Sequence, residues 1–312
     1  MVGGDFYAHC EYGSSRHIGI NRAIFTENCG NIPLHPIGKN RHNGFSKTGL
    51  VLTIGTGKRH VLFTAAHHAN EWITALVLLK YAEDLSDAIQ KEGILFGQRA
   101  KEMAEAVTIH PIPLVNPDGV DLVTGAIRRE NPQYALAERL AGNYPAIPFP
   151  NGWKANLTGT DLNLNYPAGW LQAREIKFMQ GFTRPGPRDY VGRAPLDQEE
   201  TKALAALTEK LNPDLVLAYH SQGKEIYWQF KDYVVPGAGE LGEVMARVSG
   251  YRLADTPYAS SFAGYKDWFI QNFRRPGYTV EVGSGENPLP LSQFPEIYRD
   301  NVPLLNIAAL GI

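Results

Sequence analysis

The sequence predicts an α/β fold, with a mainly parallel or mixed sheet covered by helices on both faces. Short apolar strands alternate with stretches of helical periodicity. Several of those strands are apolar at nearly every position, as strands buried on both faces are. No repeat, low-complexity tract or long linker divides the 312 residues, so a single domain over residues 1–312 is expected.

Residues 1–48 are rich in Gly, Asn, His and Arg with few periodic apolar positions. They read as loop with short strands, and residues 1–45 as an irregular N-terminal segment of the same domain. A strand is predicted over residues 50–54, a turn at 55–58 and a second, buried strand over 59–63. Ile73, Leu76, Val77, Tyr81 and Leu85 then recur at helical spacing, with Lys80, Glu83 and Asp84 at polar positions, giving a helix to about Ile89. A third strand covers residues 107–115 and ends in the turn signal Asn116-Pro117-Asp118-Gly119. Residues 131–160, with clustered prolines, read as loop.

Acidic residues near 197–200 favour the start of a helix reaching Leu211. Residues 214–219 form a short apolar strand ending in His220. Helices follow over 241–249 and 264–273, a strand over 278–282, and a final helix over 294–310 that Pro303 should kink or break.

Composition excludes more than it assigns. An apolar fraction of 44% and a charged fraction of 20% are ordinary for a globular chain. A net charge of -2 gives no reason to expect nucleic acid or an anionic membrane as partner. No apolar run reaches the roughly 18 residues of a transmembrane helix. Met1-Val2-Gly3-Gly4-Asp5 lacks the pattern of a signal peptide. A cell-wall or secreted location would follow if a leader has been removed, a cytoplasmic one otherwise. Cys10 and Cys29 either form one disulfide or stay as thiols. The oligomeric state is open.

Three strands carry polar groups at or near their ends that an apolar strand does not need: His68 with Glu71, His220, and Glu281. Ligands sit beyond the carboxyl ends of strands in open α/β sheets. Two His and one carboxylate leave a zinc position open, the arrangement of catalytic sites. A carboxylate facing such a metal without ligating it can move a proton from water to a leaving amine. The competing reading is of isolated polar residues at strand ends. His67 can also pair with Glu71, at i, i+4, and spacing alone leaves both pairs open.

In order along the chain, His68-Ala69-Asn70-Glu71-Trp72, Asn116-Pro117-Asp118-Gly119, Gly159-Thr160-Asp161-Leu162-Asn163, Tyr219-His220-Ser221 and Val280-Glu281-Val282 resemble the motifs of the zinc carboxypeptidase (funnelin) family. The resemblance spans roughly residues 45–310. It implies one Zn2+ held by His68, Glu71 and His220, Glu281 as general acid/base, and a mixed, twisted sheet of about eight strands between helices. The family register selects His68 over His67, which is left to packing or to support of the ligands.

Departures from the family pattern bear on substrate. Where the family has Asn-Arg gripping a terminal carboxylate, this chain has Asn163-Leu164, and an apolar residue offers no bidentate grip. Lys154 stands where an arginine usually stabilises the oxyanion, and Asn70 where many members carry a substrate-contacting arginine. Tyr258, upstream of Asp267-Trp268, is the candidate for the phenol that covers substrate, with Tyr265 the second choice. Lys266 falls where a residue usually lines the side-chain pocket, so a carboxylate-bearing group is expected there.

Trp153-Lys154-Ala155-Asn156, the run from Asp161 to Pro167, and the run from Tyr265 to Ile270 resemble the bacterial branch that cleaves the γ-D-glutamyl–diamino-acid bond of peptidoglycan stem peptides. The expectation is therefore a zinc peptidase acting on a peptide or muropeptide. Glu281 and Lys154 would be catalytic, and Asn163, Tyr258 and Lys266 would bind substrate. A zinc carboxypeptidase or deacylase with other substrates, or a non-catalytic cell-wall peptide-binding module, are the alternatives.

Overall fold

The computed structural model describes residues 35–37 and 49–311. Cys10 and Cys29, and with them the question of a disulfide, lie outside the described residues. The strands are β1 (His35–Ile37), β2 (Gly49–Val51), β3 (Arg59–Ala65), β4 (Val107–Ile112), β5 (Leu215–His220), β6 (Glu225–Tyr227), β7 (Arg252–Ala254) and β8 (Gly277–Glu281). A two-residue ribbon, Ile94–Leu95 with Gln98–Arg99, lies apart from them. The helices are α1 (Ile73–Gln90), α2 (Ala100–Ala106), α3 (Pro117–Val123), α4 (Pro132–Ala141), α5 (Trp170–Met179), α6 (Glu199–Leu211), α7 (Ala238–Ser249), α8 (Tyr265–Phe273) and α9 (Phe294–Leu310).

The main sheet has six strands in the order β4-β3-β5-β8-β6-β7. Strands β4, β3, β5 and β8 run parallel. Strand β6 pairs antiparallel with β8, and β7 lies parallel to β6. The antiparallel pair β1–β2 stands separately. The expected mixed sheet between helices is thus what the chain builds: among the described residues, six strands form the main sheet, two stand beside it and two make the short ribbon.

Alternation along the strands decides which helices cover which face. From β3, Val61, Phe63 and Ala65 enter a core with Ile73, Val77 and Tyr81 of α1, Met245 of α7, and Val302 and Leu305 of α9. The intervening Leu62 enters a second core with Leu204 of α6 and Trp268 and Phe269 of α8. Strand β5 divides in the same way, Leu215, Leu217 and Tyr219 to the first core and Val216 and Ala218 to the second. Each large apolar side chain so buried stabilises the fold by about 1.5–3 kcal/mol. Among the described residues, no helix is long and apolar enough to cross a membrane.

Two stretches read as loop or turn turn out helical, for a local reason. Asn116 begins α3 by accepting a hydrogen bond from the Gly119 amide (3.1 Å), and Pro117 fills the first helical position. Asn131 begins α4 by accepting from the Gln133 amide (2.9 Å), followed by Pro132. An Asn cap followed by proline is a helix start, and α4 then buries Tyr134, Ala137 and Ala141 at helical spacing. Helices α2 and α5 likewise occupy stretches for which no element was expected. Helix α9 runs without a break through Pro303.

The two caps differ in what else they hold. Fully buried Asn116 also donates to the carbonyls of His67 (3.2 Å) and Ala155 (2.9 Å). Asn131→Ala is expected to cost about 1 kcal/mol, as an ordinary cap does. Asn116→Ala should cost more, because it also leaves buried carbonyls unpaired. Urea unfolding of both variants measures this; equal costs would mean the internal bonds of Asn116 are dispensable.

Candidate active site

Strands β3, β5 and β8 are parallel neighbours, so their carboxyl ends open onto the same edge of the sheet. Glu281 of β8 stands in register with His220 of β5, and Ala65 of β3 with Tyr219. Beyond Ala65 the chain turns at Ala66 in a left-handed conformation (φ 52°), which costs an L residue about 1–2 kcal/mol. Thr74 of α1 ties this turn down: its hydroxyl accepts from the Ala66 amide (3.1 Å) and donates to the Glu71 carbonyl (2.7 Å). Glu71 itself closes a short 3-10 turn, Ala69–Glu71.

Three side chains converge here. Glu71 Oε1 lies 2.9 Å from His68 Nδ1, and Glu71 Oε2 lies 2.9 Å from His220 Nδ1. The two Nδ1 atoms are 3.2 Å apart. The Glu71 and His220 side chains are each 2% exposed, that of His68 12%. Donors held around a tetrahedral zinc at about 2.0–2.1 Å stand about 3.3 Å from one another, so this donor set fits the ion in both chemistry and spacing. Among the described residues it is the one group of three such donors close enough to share a metal.

The electrostatics agree with a cation site. Burial pushes His220 down, toward the neutral ligand form, against the pull of Glu71. Burial would lower His68 too, but the Glu71 and Asp161 carboxylates outweigh it and raise the ring to about 9. A metal at Nδ1 must therefore displace a proton from His68. Burial works against ionisation of Glu71, yet His68 and Lys154 hold it well below the usual carboxylate range. Glu281 behaves in the opposite way: burial, then the Glu71 carboxylate, raise it to about 8.

The cleft around these groups measures about 910 Å³, and Glu281, Lys154, Asn163 and Lys266 all line it with the three donors. Lys154 donates to Glu71 Oε1 (2.9 Å), so its charge sits at the edge of the donor cluster. Asn163 accepts from the Tyr265 amide through Oδ1 (3.0 Å), which leaves its side-chain nitrogen as the donor toward a ligand. Lys266 is buried rather than solvated, pairing with Asp267 (2.7 Å) and donating to the Gln229 carbonyl. Tyr258 is not brought in with the others. It is 73% exposed in the short turn Tyr258–Ser260, its ring edge-on to Phe262, although Pro257 and Ser260 line the cleft. Tyr265 is a core residue bonded to Thr208 (2.8 Å). His67 packs against His220 and Tyr265 and reaches the Tyr166 hydroxyl (3.3 Å).

Sequence reasoning passed over Asp161, Lys177, Arg188 and Asp189. Asp161 Oδ1 lies 3.1 Å from His68 Nε2, on the ring edge away from Glu71, and so fixes the tautomer and orientation of that ring. The signal was in hand, since Asp161 belongs to a motif already singled out. Lys177, Arg188 and Asp189 line the same cleft, joined by two ion pairs. Nothing in their spacing marks them, because α5 and the loop after it meet only in the fold.

Residues 41–304 match the zinc carboxypeptidase family profile. Among curated proteins, γ-D-glutamyl-L-diamino acid endopeptidase 1 of Lysinibacillus sphaericus is 43% identical over 250 residues, covering 80% of this chain and 61% of that protein. Human carboxypeptidase O is 24% identical, covering 69% of this chain and 54% of that one. This chain therefore spans less than two thirds of the length of these relatives. Among solved structures, thrombin activatable fibrinolysis inhibitor superposes with a TM-score of 0.66 at 17% identity, covering 89% of this chain and 68% of that one. Murein-tripeptide amidase MpaA from Escherichia coli O157 does so with a TM-score of 0.53 at 18% identity, covering 91% and 94%.

Asp161→Asn is expected to weaken zinc affinity by about 10- to 100-fold with the ligands intact; competition with a chromogenic chelator measures it, and unchanged affinity would remove Asp161 from the support of His68. Glu281 also makes a pH prediction for the metal-free protein. Its folded pKa lies above the ordinary value of 4.5, so the stability it contributes is full below 4.5 and lost as pH rises toward about 8. Glu281→Gln should thus gain stability relative to wild type across that window. Thermal melts in chelator would give parallel curves if the account is wrong.

Proposed function

The chain belongs to the zinc carboxypeptidase family, and from that membership we propose that it is a zinc-dependent peptidase of peptidoglycan stem peptides, cleaving the γ-D-glutamyl–diamino acid bond. The observation that carries the reading is the convergence of His68, Glu71 and His220 beside Glu281 in one cleft. Its substrate class rests on the 43% identity to an endopeptidase of that specificity and on Leu164. That buried apolar side chain lines the cleft where the usual clamp for a terminal carboxylate would need a cation.

His68, Glu71 and His220 would hold the metal. Zinc at that position supplies a Lewis acid that lowers the pKa of water and polarises a carbonyl. Glu281, in the same cleft, takes the proton of the attacking water and returns it to the departing amine nitrogen as the carbon–nitrogen bond breaks. Lys154 faces the carbonyl oxygen as charge develops on it, giving a point charge in place of arginine's fork. Asn163 donates to a polar group of the substrate. Lys266, already paired with Asp267, lines the side-chain pocket, and Tyr258, exposed on the turn beside the cleft, covers the substrate by swinging in.

Mass spectrometry of products from a defined set of muropeptides tests the assignment. Cleavage between γ-D-glutamate and the diamino acid is expected, and release of only a C-terminal amino acid would count against it. Glu281→Gln should retain one zinc per chain while kcat falls by about 10²- to 10⁴-fold. Near-normal turnover in that variant would take Glu281 out of the mechanism.

A further inference from the structure

Among the described residues, four lysine and arginine side chains line the cleft: Lys154, Lys177, Arg188 and Lys266. Three have their charge engaged by the protein. Lys154 is bonded to Glu71 (2.9 Å), Lys177 to Asp189 (2.6 Å) and Lys266 to Asp267 (2.7 Å). Arg188 differs. It uses Nε alone, 2.7 Å from Asp189 Oδ2, and its side chain is 37% exposed. Its two terminal nitrogens make no hydrogen bond with the described residues, which leaves a planar fork facing solvent or ligand.

This arginine is held in place. Asp189 takes Arg188 on one oxygen and the buried Lys177 of α5 on the other. Its own amide donates to Asp161 Oδ2 (3.2 Å), the residue that orients His68. Asp189 adopts φ 63°, a left-handed conformation that Asp tolerates better than most residues. The preceding Pro187 carbonyl accepts from the amides of Lys154 (2.7 Å) and Ala155 (2.9 Å), so Arg188 stands next to Lys154. The Lys177–Asp189–Arg188 chain carries one net positive charge, and its accessible end is the guanidinium.

We propose that Arg188 is a specificity residue that grips a substrate carboxylate on the acyl side of the bond cleaved, the side on which Lys154 meets the carbonyl oxygen. The proposal rests on the stem-peptide reading above. A glutamate joined through its γ-carboxyl keeps its α-carboxylate free on that side, whereas in an ordinary α-peptide that main-chain carboxyl is spent in the bond cleaved. A guanidinium fork matches a carboxylate with two parallel hydrogen bonds. Replacing that carboxylate by an amide removes the charge and one of the two acceptors.

The test separates binding from turnover. Zinc-loaded Glu281→Gln protein is titrated calorimetrically with L-alanyl-γ-D-glutamyl-meso-diaminopimelate and with the same peptide amidated at the glutamyl α-carboxyl. Binding of the carboxylate form is expected to be about 10- to 100-fold tighter. Adding Arg188→Gln should shrink the preference to within about twofold, and Arg188→Lys should keep part of it. Absence of a preference, its survival in Arg188→Gln, or no binding of either peptide overturns the assignment of Arg188. Cleavage of the free peptide by the wild-type enzyme is followed in parallel. A preference without cleavage would sink the peptidase reading and leave Arg188 standing, whereas cleavage without a preference would sink Arg188 alone.

Discussion

One buried carboxylate holds the centre of this protein together. Glu71 faces His68 and His220 with its two oxygens, takes the ammonium of Lys154, and accepts from the backbone amide of Ser221 (3.2 Å). Three segments distant in the chain meet on it: the turn after β3, the end of β5 with the residue that follows it, and the loop that carries Lys154. Such a concentration of charge is not a device for stability, because removing ions from water costs several kcal/mol before their attraction repays it. Two ring nitrogens 3.2 Å apart and a carboxylate between them form a donor set suited to a cation.

The sheet makes the meeting possible. Parallel strands β3, β5 and β8 share hydrogen bonds side by side, so a residue at the end of one is fixed relative to the end of the next. The pairing of Glu281 with His220 sets that carboxylate one strand from the donor cluster without making it part of the cluster. The apolar side chains that enter the two cores from β3 and β5 are therefore what locate the site. The left-handed turn at Ala66, a local strain tied off by Thr74, is accepted where the chain must leave the sheet to bring Glu71 back over its edge.

Much of this was legible in the chain, and for physical reasons. Apolar runs such as 214–219 report burial on both faces, and His68, Glu71, His220 and Glu281 stand out because they interrupt such runs. The final helix was readable from end to end, although Pro303 misled about its continuity. The Asn-Pro starts of α3 and α4 look like turns when taken alone, since a cap and a turn use the same residues. Lys266 reads in the sequence as a pocket cation for a carboxylate-bearing group, and its pairing with its own sequence neighbour Asp267 is not announced by spacing. Arg188 escaped notice altogether. It matters through Asp189 and Lys177, and only the packing of α5 joins the three.

The central claim is that His68 and His220 present Nδ1, with Glu71, to a single zinc ion. Anomalous diffraction at the zinc absorption edge from crystals grown with zinc tests it most directly. The account predicts one strong peak about 2.0–2.2 Å from His68 Nδ1, His220 Nδ1 and a Glu71 carboxylate oxygen. A peak elsewhere, or one bound through Nε2 of either histidine, would contradict it.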